Sequence, residues 1–208
     1  TSFAATIFGQ VLGYINSRGR HLRSGRMVEQ LVFIPYLIPS IAFGAMYLSM
    51  FASAATVTVF GVTFTVVPSL YGTFLLLVLV SVVKHLPFAS RAGTANMMQI
   101  GVELEEAGQI VGASFLQRFA RIVFPLSKNG FMSGFMLILI SIMKELDLII
   151  ILMTPSQATL PYMAYTYSTS GFAQPASAVA IVMFVMVFFF YWIANRFFNA
   201  DITGGLRG

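Results

Sequence analysis

Apolar residues along this chain fall into runs of membrane-crossing length rather than into the stripes of water-soluble helices. About 20 mostly apolar residues are needed to cross roughly 30 Å of hydrocarbon. Residues 3–16 read as the tail of one such span. A second covers 28–51 and contains Pro35 and Pro39, a third covers 69–87 and ends at Pro87, a fourth covers 130–153, and a fifth covers 176–195. Prolines inside a span are tolerated in a bundle, where neighbouring helices satisfy the freed carbonyls. They fit either a kinked helix beside a pathway or a merely buried one.

Polar positions concentrate between the runs, and the basic ones alternate. The first connection carries Arg18, Arg20, Arg23 and Arg26; the third carries Arg91, Arg118 and Arg121, with Lys84 and Lys128 at its edges; the C-terminal tail carries Arg196 and Arg207. Connections 52–68 and 154–175 contain no Lys or Arg. Basic connections stay on the cytoplasmic side, so the pattern predicts five spans with the N-terminus outside and the C-terminus cytoplasmic. Thr154-Pro155-Ser156-Gln157 and Ser168-Thr169-Ser170-Gly171 are loop signals, and Tyr162, Tyr165 and Tyr167 between them suit a membrane interface.

Composition agrees. Of 208 residues, 58% are hydrophobic and 9% charged, against roughly 25% charged in soluble domains; so few charges cannot cover a water-facing surface. The chain has no cysteine, and its two histidines, His21 and His85, lie far apart, which disfavours a thiolate site, a histidine metal cluster or a hydrolytic triad. The net charge of +5 is spread over span ends, without the clustered basic face that nucleic-acid binding requires. Residues 1–208 read as a single transmembrane domain; the apolar opening, without an initiator Met, predicts a helix already under way and a longer polypeptide, of which this would be a fragment or second half.

The third connection, about 88–129, carries most of the information. Glu103, Glu105 and Glu106 place negative charge in the first turns of a short helix, where the macrodipole favours it. Gly112 predicts a hinge, and Ala113, Leu116, Ala120 and Val123 give a second short helix a partly apolar face. A short rigid hairpin of this kind is suited to dock into a groove on a partner.

Glu106-Ala107-Gly108, Gly112, Ile122 and Phe124-Pro125 lie at the spacing of the EAA loop of binding-protein-dependent ABC importer permeases, which this run (about 97–126) resembles. Gly108 stands where the family usually has a third Ala, and Phe124 where it has Leu. The resemblance implies an all-α, type I importer permease core of about five spans with a cytoplasmic coupling helix. It further implies a pair of separate ABC ATPase subunits that bind ATP and Mg, a second permease subunit or half, and a periplasmic or lipid-anchored binding protein. The setting would be the bacterial inner membrane, with lipid as the surrounding partner and no nucleic acid. By that analogy Glu106 pairs with a basic residue of the ATPase. Phe33-Ile34-Pro35-Tyr36-Leu37-Ile38-Pro39-Ser40 is similar to the proline-bearing second span of these permeases, and Met143-Lys144-Glu145-Leu146-Asp147 to the fourth span of the ferric-iron subgroup, which points to ferric iron; relatives carry polyamines, sugar phosphates, phosphonates or other small anions.

Lys144, Glu145 and Asp147 fall inside the fourth span as read from sequence, where charge is costly and faces the bundle interior. Lys144 and Asp147, three apart, are expected to pair on one helix face, with Glu145 turned to another partner. Both a translocation-pathway role and a structural pair remain open for them. The sequence contains no Gly-x-x-x-x-Gly-Lys-Ser/Thr run, so ATP is expected to be hydrolysed elsewhere, with no catalytic residue, metal or cofactor in this chain. A secondary transporter would show inverted repeats, and none are visible; an intramembrane enzyme would need a nucleophile–base set, which the three charges do not supply.

Overall fold

The computed structural model describes residues 1–19, 23–59, 62–154 and 157–198. Arg20, His21, Pro155, Ser156 and Arg207, which figured in the reading above, lie outside them.

The chain begins with α1 (Ser2–Gly19), which packs along α4 (Phe74–Met98) in the most extensive helix contact of the bundle. Small residues make this possible. A β-carbon placed on Gly9 would sit 2.4 Å from the Ala89 backbone, and one on Gly13 only 2.2 Å from that of Gly93. The Gly9-x-x-x-Gly13 and Ala89-x-x-x-Gly93 faces therefore bring the two backbones together, a solution suited to lipid, where close van der Waals packing replaces the hydrophobic effect between helices. Buried Ala5, Ala89 and Ile138 extend the contact to the helix Phe124–Met143.

This packing corrects the third span. The expected end at Pro87 is overrun, and α4 continues to Met98. A proline costs one ladder bond, and the residues after it, Ala89 and Gly93, are held against α1. Arg91 accordingly sits on the helix rather than in a loop. Thr73 caps its start by accepting from the Leu76 N–H.

The second span is also corrected. Residues 28–51 do not form one kinked helix but two, α2 (Arg23–Leu37) and α3 (Ser40–Phe51), bent by 98°. Pro39 has no N–H and disfavours helical geometry in the residue before it. Lys84 Nζ, reaching over from α4, donates to the stranded Pro35 and Ile38 carbonyls at 3.1 and 2.5 Å. A core of Phe43, Leu76, Leu77, Val80, Leu148 and Leu152 then fixes α3 against α4.

The connection after α3, read from sequence as a polar loop, holds an antiparallel hairpin of β1 (Ala55–Val59) and β2 (Val62–Val67), with Val59 opposite Val62. The β-branched residues there favour strand over helix. After α4 come α5 (Val102–Ile110), α6 (Phe115–Arg118), a widened π-helical turn (Phe119–Val123) and α7 (Phe124–Met143); from Phe115 the last three run on as one 29-residue helical stretch. In the widened turn the Phe124 N–H bonds Phe119 O, five residues back, just ahead of Pro125, whose ring would crowd an ordinary α-turn. α8 (Ile149–Leu152), α9 (Leu160–Thr169) and α10 (Ala173–Phe198) complete the chain.

The five expected spans thus resolve unevenly. Among the described residues, α4, the Phe115–Met143 stretch and α10 are each long and apolar enough to cross a membrane, and the bent α2–α3 pair would make a fourth. α1 has 18 residues but a more polar composition, and it is sheltered by α4. The fourth span ends at Met143 rather than 153, which changes the setting of the three charges that follow.

Candidate coupling hairpin and membrane charges

The segment from Gly101 to Val123 forms a compact helical hairpin whose base is locked to the bundle. Glu105 on α5 is only 7% exposed. Its carboxylate accepts from Tyr14 Oη at 2.7 Å and from Arg18 Nε and Nη2 at 2.8 and 2.5 Å. The same guanidinium donates to Ile100 O at 3.2 Å, so one arginine of α1 holds both the end of the α4 connection and the first turn of α5. The Tyr14 ring meets Phe115 and Phe119 edge-on at 5.9 and 6.0 Å, tying the returning arm to the same place.

The turn is built from backbone geometry. Gly112 adopts φ +81°, with nothing within 4 Å of where a β-carbon would stand, so it is needed for conformation rather than for space. The Ala113 N–H bonds Gly108 O and the Gly112 N–H bonds Gln109 O, both at 3.0 Å, which is the Schellman closure of α5. Ser114 then starts the next helix in a reciprocal capping box with Gln117. Where the two arms meet, a β-carbon on Gly108 would lie 3.1 Å from both Arg118 Cγ and Ile122 Cδ1. An alanine there would require those two side chains to give way by a few tenths of an ångström. Arg118 Nη1 donates to Gln109 Oε1 at 3.0 Å across the gap.

The outer side of the hairpin is apolar and open. Ile110, Val111 and Leu116 are 86, 82 and 74% exposed, and Glu106 and Ala107 are exposed beside them. Of the apolar face expected on the second arm, only Val123 is buried; Leu116 and Ala120 face outward. A recess of about 520 Å³ lies between the arms, lined by Gly108, Val111, Gly112, Gln117, Arg121 and Ile122. The structure therefore brings Glu106, Ala107, Gly108, Gly112 and Ile122 together in one hairpin, with Pro125 at the start of α7. Glu105 and Arg18 were not singled out from sequence. Three glutamates within four residues conceal which one turns inward, and only the burial of one reveals it.

The charged trio fares differently. Lys144, Glu145 and Asp147 lie in the break between α7 and α8, not on a helix, so the expected i,i+3 pair on one face does not form. Lys144 and Asp147 are exposed. Glu145 turns toward groups of its own chain: its Oε1 accepts from the Leu148 N–H at 3.2 Å and its Oε2 stands 3.8 Å from His85 Nε2. His85 Nδ1 bonds Ser81 O at 2.8 Å; a carbonyl only accepts, so Nδ1 carries the hydrogen. Lys84, His85 and Glu145 share a cavity of about 590 Å³ with Pro39 and Ser40 at the α2–α3 break. Among the described residues, no group of three or more His, Cys, Asp or Glu is placed to hold a metal ion.

A family model for the inner membrane component of binding-protein-dependent transport systems matches residues 5–200. The chain is similar to the ferric transport system permease protein FbpB of Actinobacillus pleuropneumoniae, 25% identical over 195 residues, covering 91% of this chain and 26% of that protein. It is also similar to the sulfate transport system permease protein CysT of Salmonella typhimurium, 26% identical over 136 residues, 64% of this chain and 48% of that one. The chain thus spans about a quarter of the ferric relative and about half of the sulfate one. Among solved structures, an inward-facing form of the MetNI methionine ABC transporter superposes with a TM-score of 0.73 at 18% identity, over 96% of this chain and 90% of that chain.

Proposed function

The chain belongs to the family of inner membrane components of binding-protein-dependent transport systems, and from that premise we propose that it is the translocation subunit of an ATP-driven importer for ferric iron. ATP and Mg are bound by a separate pair of ATPase subunits, and a second permease unit completes the path. A substrate-binding protein delivers cargo from the outer side, with the N-terminus of this segment outside and its C-terminus cytoplasmic, as the alternation of basic connections favours.

The observation that carries this reading is the hairpin. Its tip presents apolar side chains and Glu106 outward, while its base is fastened by Arg18 and Glu105. A loop so built transmits a push rather than absorbing it. When ATP closes the ATPase dimer, docked hairpins are drawn together and the spans rock between inward-facing and outward-facing states, an equilibrium shifted by differential binding energy. The inward turn of Glu145 beside Lys84 and His85 at the broken α2–α3 span supports a place for it on the pathway, in the manner of broken helices at transport sites. Lys144 and Asp147, both exposed in the break between α7 and α8, are further pathway candidates.

Ferric iron rests on the ferric relative, which covers most of the chain. A small oxyanion is the second reading, favoured by the sulfate relative. The test is reconstitution of the full complex in liposomes with its ATPase and binding protein, measuring uptake of ferric iron, sulfate, spermidine, a sugar phosphate and a phosphonate. ATP-dependent uptake of iron alone supports the proposal; uptake of another solute keeps the importer and discards iron; uptake independent of the ATPase discards the importer.

A further inference from the structure

A second cavity, of about 550 Å³, opens between α1, α2 and α4 at the end of the bundle that carries the hairpin. Its polar lining comes from Asn16 near the end of α1, Glu29 and Gln30 on the first half of α2, and Ser90, Arg91 and Thr94 on the last half of α4, with Ala95 and Met98 beyond them. Farther along the same helices the lining turns apolar, through Val32, Phe33, Leu37 and Pro87. Asn16 is 4% exposed, yet its Oδ1 has no hydrogen-bond partner, while its Nδ2 meets Ser90 Oγ at 3.4 Å. A buried acceptor left without a donor is costly; Asn16 belongs to the cavity wall, with its Oδ1 enclosed rather than open to solvent. Opposite charges accompany it: the Glu29 carboxylate, and the Arg91 guanidinium, which lies 4.4 Å over the Phe33 ring.

A groove with a carboxylate, a guanidinium and an apolar continuation matches an amphiphile with a zwitterionic head. We propose that this groove binds the head of an aminophospholipid, its phosphate on Arg91, its ammonium on Glu29, and an acyl chain along Phe33 and Leu37. Ammonium hydrogens donate to the Glu29 carboxylate. A choline head has no N–H, and a glycerol head has no positive charge to answer Glu29. The residues lie near the last turns of a membrane-length helix, which is the depth of lipid heads.

The test is native mass spectrometry of the full-length permease complex, purified in detergent and offered phosphatidylethanolamine, phosphatidylcholine and phosphatidylglycerol. Phosphatidylethanolamine should be retained preferentially, and both Glu29→Gln and Arg91→Gln should weaken that retention about tenfold, the size expected of one charge-assisted contact. Glu29→Gln should leave phosphatidylglycerol retention unchanged, a readout that general loss of structure would not spare. Soluble phosphoethanolamine supplied in place of lipid should bind far more weakly. Equal retention of the three lipids, indifference to both variants, phosphoethanolamine binding as tight as the lipid, or a groove covered by the second permease unit with no lipid retained would each overturn the assignment.

Discussion

Arg18 and Glu105 form the joint between the span bundle and the hairpin, with guanidinium and carboxylate at 2.5 Å and both side chains largely shielded from water. Glu105 accepts three hydrogen bonds from α1, and the hairpin makes no other charged contact with that helix among the described residues.

Removing one partner should therefore loosen the hairpin without dissolving the bundle. Glu105→Ala should lower stability by about 1–3 kcal/mol, the penalty for stranding a part-buried guanidinium. It should also uncouple ATP hydrolysis from uptake. Thermal unfolding of the purified complex and the ratio of transported solute to hydrolysed ATP measure the two effects; an unchanged ratio would show that the joint does not transmit force.

Gly112 makes a different demand, since its left-handed backbone has open space around it. Gly112→Asn should be tolerated, whereas Gly112→Val should cost about 1–2 kcal/mol or more and misdirect the returning arm. ATPase stimulation by loaded binding protein should fall in the valine variant and survive in the asparagine one. Equal behaviour of the two would separate the turn's conformation from its function.

How much of this was legible along the chain depends on how local each cause is. The hinge at Gly112 follows from turn chemistry, and the structure places it at φ +81° in such a hairpin, whereas which of Glu103, Glu105 and Glu106 turns inward was not legible. Pro87 misleads because the decision lies elsewhere: Ala89 and Gly93 are pinned to Gly9 and Gly13 some eighty residues away, and that packing outweighs a proline's break. The small residues at 9, 13, 89 and 93 were the available signal. Pro39 shows the converse, since the 98° bend needs Lys84 to satisfy Pro35 and Ile38, and no local pattern announces a lysine on another helix. For 144–147, spacing suggested a pair only so long as the helix was assumed to continue.

Close packing at Gly13 gives a sharp test of the α1–α4 pair. Gly13→Leu must displace the Gly93 backbone, which a β-carbon alone would approach to 2.2 Å. Assembly should fail, with expression and thermal stability falling well beyond the effect of Gly112→Asn. A stable, active Gly13→Leu complex would contradict the observed interface.

At the broken span, Lys84→Met should release the Pro35 and Ile38 carbonyls and destabilise the α2–α3 bend by about 1.5–3 kcal/mol. Glu145→Gln should instead leave assembly intact and lower uptake. Cysteine cross-linking across α2 and α3 reports the first effect and liposome uptake the second. Wild-type uptake by Glu145→Gln would remove that carboxylate from the pathway.

The most direct test of the coupling role is ATP hydrolysis by the reconstituted complex carrying Glu106→Arg, compared with wild type, with and without loaded binding protein. Glu106 is exposed, so its replacement should leave the fold undisturbed. If the hairpin docks on an ATPase, the stimulation should vanish while the assembled permease keeps its thermal stability. Full stimulation in Glu106→Arg would contradict the account.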